Sequence, residues 1–214
     1  MTGSDPDPTR LLRRVVELRS RLTAFDPQRL VDATGTNYHV APPGESYFSV
    51  RMWQQDVRIS YPDFTAFDER SGAELPLFTQ AMLMYYFTTA DGTPLAGEWL
   101  SFSQLPDGRF YNQAFQGYTG GELARVFHTQ AEFEQAARKM GGEAQLSGSQ
   151  TPGTVAFKFQ AFPKISLLVA FWEGDEDFPV SFQVLFDASV AHYMPTDGCA
   201  LLGSSLTRML LKAR

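Results

Sequence analysis

The chain has 214 residues, of which 43% are hydrophobic and 20% charged, and this composition is typical of a globular protein and not of a disordered one. The formal net charge of −6 disfavours a nucleic-acid-binding role, because such proteins carry a basic surface. The longest apolar runs, ISLLVAFW and AMLMYYF, are far shorter than the roughly 20 residues that span a bilayer, and the N-terminus shows no signal-peptide core. We therefore expect a soluble, cytoplasmic protein without a membrane segment.

The N-terminal third predicts a short lead, two helices and a β-meander. Residues 1–8 read as a flexible lead, with Asp7 as the first helix cap, and residues 9–214 as a single α+β domain. One apolar stripe at helical spacing marks the first helix; it comprises Leu11, Val15, Leu18 and Leu22. Asp26 is a cap and Gly35 a stop for the second helix. The runs NYHV, SYFSVRMW and DVRISYP then predict antiparallel strands.

The middle of the chain predicts a buried helix and a hairpin. LPLFTQAMLMYYFTTADG is apolar on nearly all sides, which indicates a central, buried helix. In GEWLSFSQLPDGRFYNQAF, two aromatic runs flank the turn signal Pro106-Asp107-Gly108, which predicts a β-hairpin. A short helix, GGELARVFH, and a second one with the capping box Thr129 and Glu132 follow.

The C-terminal part predicts a hairpin and terminal helices. VAFKFQAF, KISLLVAFW and VSFQVLF are strand-like, with the acidic turn EGDEDFP between the last two. Asp187 and Thr196 are placed to cap two final helices. Because the strands are joined mainly as hairpins, the fold class is α+β: a mostly antiparallel sheet built from hairpins, with a buried central helix and terminal helices packed on it.

Cys199 is the only cysteine, so the chain alone forms no disulfide and no cysteine-held cluster. Hard oxygen donors in the acidic turn suit Mg²⁺ or Ca²⁺, and our candidate metal ligands are Asp175, Glu176 and Asp187. The other interpretation of this turn is structural, because a turn between buried strands must be polar to stay hydrated.

Asp187, Ser189 and His192 are the residue types of a hydrolytic triad, but triad members normally come from separate elements. No G-x-S-x-G motif surrounds Ser189. Asp187 and His192 are therefore retained only as candidates for catalysis, and the alternative is that Asp187 caps a helix.

Aromatic side chains near the hairpins and the acidic turn belong either to the core or to the wall of an apolar pocket. The candidate ligand-binding residues are Trp99, Tyr111, Trp172, Glu173, Asp175 and Tyr193.

Four stretches, ISYP, GEWLSF-x-x-LPDGRFY, FWEGDEDFP and LFD-x-S-x-x-x-YMPTD, together resemble a prokaryotic family of domains of unknown function, from about Phe25 to Leu211. The resemblance implies no established activity. It implies a redox or tetrapyrrole setting for some relatives, which are joined to cysteine-rich iron–sulfur modules that this chain lacks. Where relatives carry Glu-Asp after the last Thr, this chain has Asp197-Gly198.

Two hypotheses follow. The first is a non-catalytic module that binds a small molecule or a partner protein. The alternative is a divalent-metal-assisted hydrolase or transferase that uses the acidic turn 173–177 with Asp187 as ligand and His192 as general base. The sequence leaves the cofactor, the ligand and the oligomeric state open.

Overall fold

The computed structural model of the protein describes residues 8–42, 45–145 and 151–214. The predicted flexible lead and the Asp7 cap fall almost entirely on residues 1–7, which lie outside the described residues. The described chain divides into two compact units, and each is treated by itself below. The first extends to Thr93 and includes His192–Met194, and the second comprises Pro94–Ala191 and Pro195–Arg214. The expectation of a single domain over 9–214 stays a prediction.

The first unit combines three helices with a four-stranded sheet among its described residues. Its elements are α1 Pro8–Leu22, α2 Pro27–Thr34, β1 Asn37–His39, β2 Tyr47–Met52, β3 Gln55–Ser60, β4 Ala66–Asp68 and α3 Leu77–Thr89. The strands follow the order β1-β2-β3-β4, with every neighbour antiparallel. This is the predicted meander, with β4 as an additional strand.

Local signals position the helices of the first unit. Asp26 accepts hydrogen bonds from the amides of Gln28 and Arg29, and Gly35 ends α2 in the left-handed region at φ 67°. The predicted stripe on α1 is confirmed, since Val15, Leu18 and Leu22 are buried. Helix α3 is buried on nearly all sides, as predicted, and Phe87 on it contacts Phe48 of β2 at 5.5 Å between ring centroids.

The second unit combines helices with a five-stranded antiparallel sheet of order β5-β9-β8-β7-β6. Its elements are β5 Trp99–Ser101, a 3-10 helix Phe102–Gln104, α4 Gly108–Tyr118, α5 Gly120–Val126, α6 Gln130–Lys139, β6 Glu143–Gln145, β7 Val155–Phe162, β8 Ile165–Trp172, β9 Ser181–Asp187, a 3-10 helix Val190–His192 that extends into the first unit, and α7 Thr196–Ala213. The antiparallel α+β class is confirmed, although the strands form two sheets.

One face of this second sheet is packed by the helices through phenylalanine rings. Phe133 of α6 meets Phe182 of β9 at 5.1 Å, Phe157 of β7 at 5.6 Å and Phe171 of β8 at 6.1 Å. Alternation along each strand places these three rings on the same side of the sheet. The capping box of Thr129 with Glu132 starts α6 as predicted and so orients Phe133 toward the sheet.

The hairpin predicted around Pro106-Asp107-Gly108 is wrong in its second arm. The turn exists, but it leads from β5 and the 3-10 helix into α4. The buried positions Gly108, Phe115 and Thr119 are spaced by seven and four residues, which is helical and not alternating. Stacking of Phe115 on Phe102, at 4.2 Å between centroids, supplies the long-range contact that a local pattern of aromatics does not reveal.

The predicted cap at Thr196 is also wrong. Pro195 is the N-cap residue of α7, and the Thr196 hydroxyl donates instead to the carbonyl oxygen of Pro106 at 2.7 Å. None of the described helices is both long and apolar enough to cross a membrane.

Candidate functional site

Asp187 is the centre of a buried hydrogen-bonded corner at the end of β9. The residue is 3% exposed, and its carboxylate accepts hydrogen bonds from the amides of Ala96 at 3.0 Å and Gly97 at 2.8 Å. It also accepts from the amide of Ser189 at 2.9 Å and from the hydroxyl of the same residue at 2.6 Å. Four donors thus converge on one carboxylate.

The corner connects two of the sequence stretches that carry the family resemblance. Asp187 lies opposite Trp99 in the pairing of β9 with β5, and the Ala188 amide donates to the Glu98 carbonyl at 2.9 Å. The GEW stretch is therefore held by the LFD-x-S stretch through main-chain and carboxylate bonds alike. This arrangement favours the structural interpretation of Asp187, which holds the GEW stretch in addition to the residues that follow β9.

The hydrogen bonds also determine the protonation state of Asp187. Burial by itself raises the pKa of this carboxyl, but the Ser189 hydroxyl and the three backbone amides together bring the pKa below its ordinary value. Three of the four donors meet Oδ1 of the ionised carboxylate, and only the Gly97 amide meets Oδ2. These bonds give Asp187 a structural role at the end of β9.

His192 and Tyr193 anchor a turn of the first unit. The His192 Nδ1 atom lies 2.7 Å from Oδ2 of Asp91, and both side chains are about half exposed. The hydrogen bond from the Thr93 amide, and to a smaller extent the one with the imidazole, lower the pKa of Asp91 to about 2. The Tyr193 hydroxyl donates to the Thr93 carbonyl. Tyr193 is completely buried, and its part in ligand binding stays a prediction.

The structure does not assemble a triad from Asp187, Ser189 and His192. The Ser189 hydroxyl donates directly to Asp187, while the imidazole of His192 is paired with Asp91. A nucleophilic serine needs its proton directed at the imidazole. The residue types of a triad are present, but Ser189 is bonded to Asp187 and His192 to Asp91.

Hydrogen bonds within the acidic turn, made by its backbone and by the Asp175 side chain, hold its conformation. Oδ1 of Asp175 accepts from the amides of Asp177 at 2.9 Å and Phe178 at 2.8 Å, and the Asp175 amide donates to the Phe178 carbonyl. These bonds close the turn between β8 and β9. The side chains of Glu173 and Glu176 are exposed beside it.

The predicted metal ligands do not converge. Asp175 and Glu176 lie in the turn before β9, whereas Asp187 is the last residue of that strand. At about 3.3 Å per residue, the strand separates them by roughly 20 Å. In the part of the chain that the structure describes, no cluster of three metal-ligating side chains occurs. The alternative that depended on a shared divalent ion is therefore not supported by the geometry.

Trp99 and Trp172 lie on the same face of the second sheet. The prediction that they belong to one binding wall requires such an arrangement. Both rings are half-buried and pack on the same apolar cluster, which comprises Ala156, Leu168, Ala170 and Leu185. Glu173, next in the chain, donates its amide to the Thr154 hydroxyl at 3.1 Å. Ligand binding by these two tryptophans and Glu173 stays a prediction.

Helix α4 presents a surface that the sequence interpretation placed on a strand. Phe110 is 94% exposed and Tyr111 is 52% exposed. Beside Phe110 is an open cavity of about 470 Å³ lined by Ser103, Gln104, Leu105, Asp107, Arg109 and Phe110. We call Phe110, Tyr111 and this cavity the α4 surface.

The rings behind the α4 surface form a continuous aromatic layer. Tyr111 meets Phe102 edge-on at 6.4 Å and Tyr118 at 6.1 Å. Burial, together with the neighbouring Tyr111, raises the pKa of the Tyr118 hydroxyl, so the hydroxyl stays neutral. Tyr111 was among the candidate residues, whereas Phe110 was missed, because only a helical period distinguishes its outward position from the inward one of Phe115.

The model of one protein family, Domain of unknown function (DUF3786), matches residues 26–209. No curated protein and no solved structure matches the chain. The chain belongs to the DUF3786 family, which confirms the family resemblance.

Proposed function

We propose that this member of the DUF3786 family is a non-catalytic binding module that docks a partner protein on the α4 surface. The observation that carries the proposal is the 94% exposure of Phe110. Single exposed apolar residues are common, but this ring adjoins the half-exposed ring of Tyr111 and an open cavity. An exposed aromatic patch beside a concavity is typical of a protein interface.

The aromatic layer makes the α4 surface rigid before anything binds. Phe102 and Phe115 are stacked at 4.2 Å, and both are buried, so α4 is fixed at its inner side. A rigid helix that presents aromatic side chains loses little conformational entropy on association. Aromatic anchors of this kind dominate the energetics of protein interfaces.

The cavity beside Phe110 has a mixed lining that suits a protein partner. Leu105 supplies an apolar wall, while Asp107 and Arg109 place opposite charges at the edge. Interfaces commonly combine an apolar centre with a polar rim. The enzyme alternative has less support, because the length of β9 separates Asp175 and Glu176 from Asp187. The cytoplasm as compartment stays a prediction.

The test is photo-crosslinking in cells of the native host. Benzoylphenylalanine replaces Phe110 in one variant and Val40 in a matched control, because Val40 is 85% exposed and belongs to the first unit. We expect a discrete adduct from position 110 only. The adduct should decrease when excess wild-type protein is added and persist when excess Phe110→Ser protein is added.

The free energy of unfolding of the Phe110→Ser variant should lie within about 0.5 kcal/mol of the wild-type value, because the ring is already almost fully solvated in the folded protein. No adduct from position 110, or the same adducts from positions 110 and 40, contradicts docking on the α4 surface. Equal competition by the wild-type protein and by Phe110→Ser contradicts it as well.

A further inference from the structure

Helix α1 carries a second apolar stripe, which faces away from the core of the first unit. Its buried stripe ends at Leu22, whereas Leu12 is 51% exposed and Val16 is 55% exposed. These two exposed side chains are four residues apart, so they lie one helical turn from each other on the same side of α1. Isolated exposed apolar residues are common on protein surfaces. The meaning of this pair therefore depends on what surrounds it on the helix.

Basic residues are concentrated on α1. The helix contains five arginines and a single acidic residue, Glu17, although the whole chain has a net charge of −6. Glu17 is paired with Arg14 at 2.8 Å. Arg10 and Arg13 are exposed and form no ion pair with any residue that the structure describes. Their charges are therefore available to an outside partner.

The two unpaired arginines run alongside the exposed apolar pair. Arg13 precedes Val16 by three residues and Arg10 precedes Arg13 by three, so the charges and the apolar side chains occupy one continuous strip of helix surface. We call Arg10, Leu12, Arg13 and Val16 the α1 face. Because this face has an apolar centre and a positively charged border, it is complementary to an apolar side chain that is surrounded by carboxylates.

The acidic turn of the second unit has the composition that the α1 face requires. Phe178 is 71% exposed, and Glu176 and Asp177 directly before it are exposed as well. Within the described part of the chain, these two carboxylates form no ion pair. The amides of Asp177 and Phe178 donate to the Asp175 side chain and hold the turn in one conformation. The turn therefore loses little conformational entropy when it is bound.

We propose that the α1 face binds the acidic turn of a second copy of this chain. The Phe178 ring of one copy lies against Leu12 and Val16 of the other, and the carboxylates beside the ring pair with the arginines. Charge complementarity selects this occupant, because one chain carries both a cationic strip with an apolar centre and an anionic turn with an apolar tip. A turn that contacts a single helix buries little surface, so the association is weak and transient. The contact uses no residue of the α4 surface and is independent of the proposed docking function.

The test reverses the charges on the two sides of this contact, and self-association of the full chain is followed by analytical ultracentrifugation. The α1 variant carries Arg10→Glu and Arg13→Glu, and the turn variant carries Glu176→Lys and Asp177→Lys. All four side chains are exposed, so both variants should fold, which circular dichroism checks.

The matched control reverses two charges on another helix. It carries Arg208→Glu and Lys212→Glu, which are exposed and lie one turn apart on α7. The control variant therefore has the same net charge as the α1 variant, and a difference between the two variants reports the position of the charges.

We expect the weight-average mass of the wild type to rise with protein concentration between about 10 µM and 1 mM at about 20 mM salt, and to rise less at about 300 mM salt. The α1 variant and the turn variant should each self-associate about tenfold more weakly, whereas the control variant should behave like the wild type. An equimolar mixture of the α1 variant and the turn variant should associate again, because their reversed charges match each other.

A wild-type chain that stays monomeric at about 1 mM in low salt overturns the proposal and leaves the α1 face to a different acidic protein. Equal weakening in the control variant and the α1 variant overturns it, because net charge alone would then explain the effect. A mixture of the α1 variant and the turn variant that stays monomeric overturns it as well.

Discussion

The Asp187 corner makes the sharpest prediction about stability. The substitution Asp187→Ala removes the acceptor of four hydrogen bonds at a site that is 3% exposed. The variant leaves two kinds of donors behind. The amides of Ala96 and Gly97 belong to exposed residues and can bind water, whereas the amide and hydroxyl of Ser189 are buried.

These two kinds of donors contribute unequally to the magnitude. A buried donor that loses a charged partner costs about 1.5 kcal/mol, and one that water can reach costs about 0.5 kcal/mol. With two donors of each kind, the free energy of unfolding should fall by about 4 kcal/mol. A single lost helix cap costs only about 0.5–2 kcal/mol. For a chain of this size, 4 kcal/mol corresponds to a decrease in Tm of about 8–16 °C.

Urea unfolding, followed by tryptophan fluorescence and circular dichroism, measures this difference. Asp175→Ala is the matched control, because Asp175 also accepts from two backbone amides but lies in an exposed turn. We expect the control to lose less than about 1 kcal/mol. A loss below about 1 kcal/mol in Asp187→Ala, or losses of equal size in the two variants, refutes the structural role assigned to the corner.

The same corner predicts a pH dependence. In the folded protein the pKa of Asp187 lies below its ordinary value, while in the unfolded chain it is near 3.9. The stabilisation is therefore fully present above about pH 5 and is lost as the pH falls through the lowered folded-state pKa. The difference between the wild type and Asp187→Ala should be constant from about pH 5 to 8 and shrink in more acidic solution.

The helix α4 and the turn at Asp91 make two further predictions. A Cβ atom at Gly108 would lie 1.9 Å from a backbone carbonyl oxygen of the preceding 3-10 helix, whereas one at Gly117 meets no atom within 4 Å. Gly108→Ala should lower the free energy of unfolding by about 3 kcal/mol, because the new methyl group overlaps this oxygen. Gly117→Ala in the same helix should raise it by about 0.5–1 kcal/mol. Urea unfolding compares the two variants, and equal effects contradict the close approach at Gly108. In His192→Ala, the pKa of Asp91 should rise from about 2 but stay below 3.8, because the hydrogen bond from the Thr93 amide remains. Carbon-detected NMR titration measures this pKa, and an unchanged value contradicts the pairing of Asp91 with His192.

Sequence reasoning succeeded where the governing interactions are local. The caps at Asp26 and Thr129 and the stop at Gly35 each depend on bonds within a few residues, and the structure has all three. The antiparallel strands were likewise predictable, because alternation along a strand determines which of its side chains are buried. The uniformly apolar segment of α3 indicated complete burial without any knowledge of what surrounds it.

The errors lie where distant contacts decide the outcome. The aromatic residues after Pro106 fit both an alternating and a helical period, and the stacking of Phe115 on Phe102 selects the helix. The acidic turn and Asp187 are close in sequence, but β9 separates them by its full length. The triad-like spacing of Ser189 and His192 did not reveal that Ser189 is bonded to Asp187 and His192 to Asp91.

Local sequence patterns predicted the α+β class, antiparallel strands, both ends of α2 and the start of α6. Folding brings together the contacts by which Asp187 binds the GEW stretch, and it leaves Phe110 facing solvent. The difference follows from the range of the interactions. Capping bonds and side-chain alternation act between neighbours in the chain, whereas the partner of a carboxylate or the exposure of a ring depends on segments that only folding brings together.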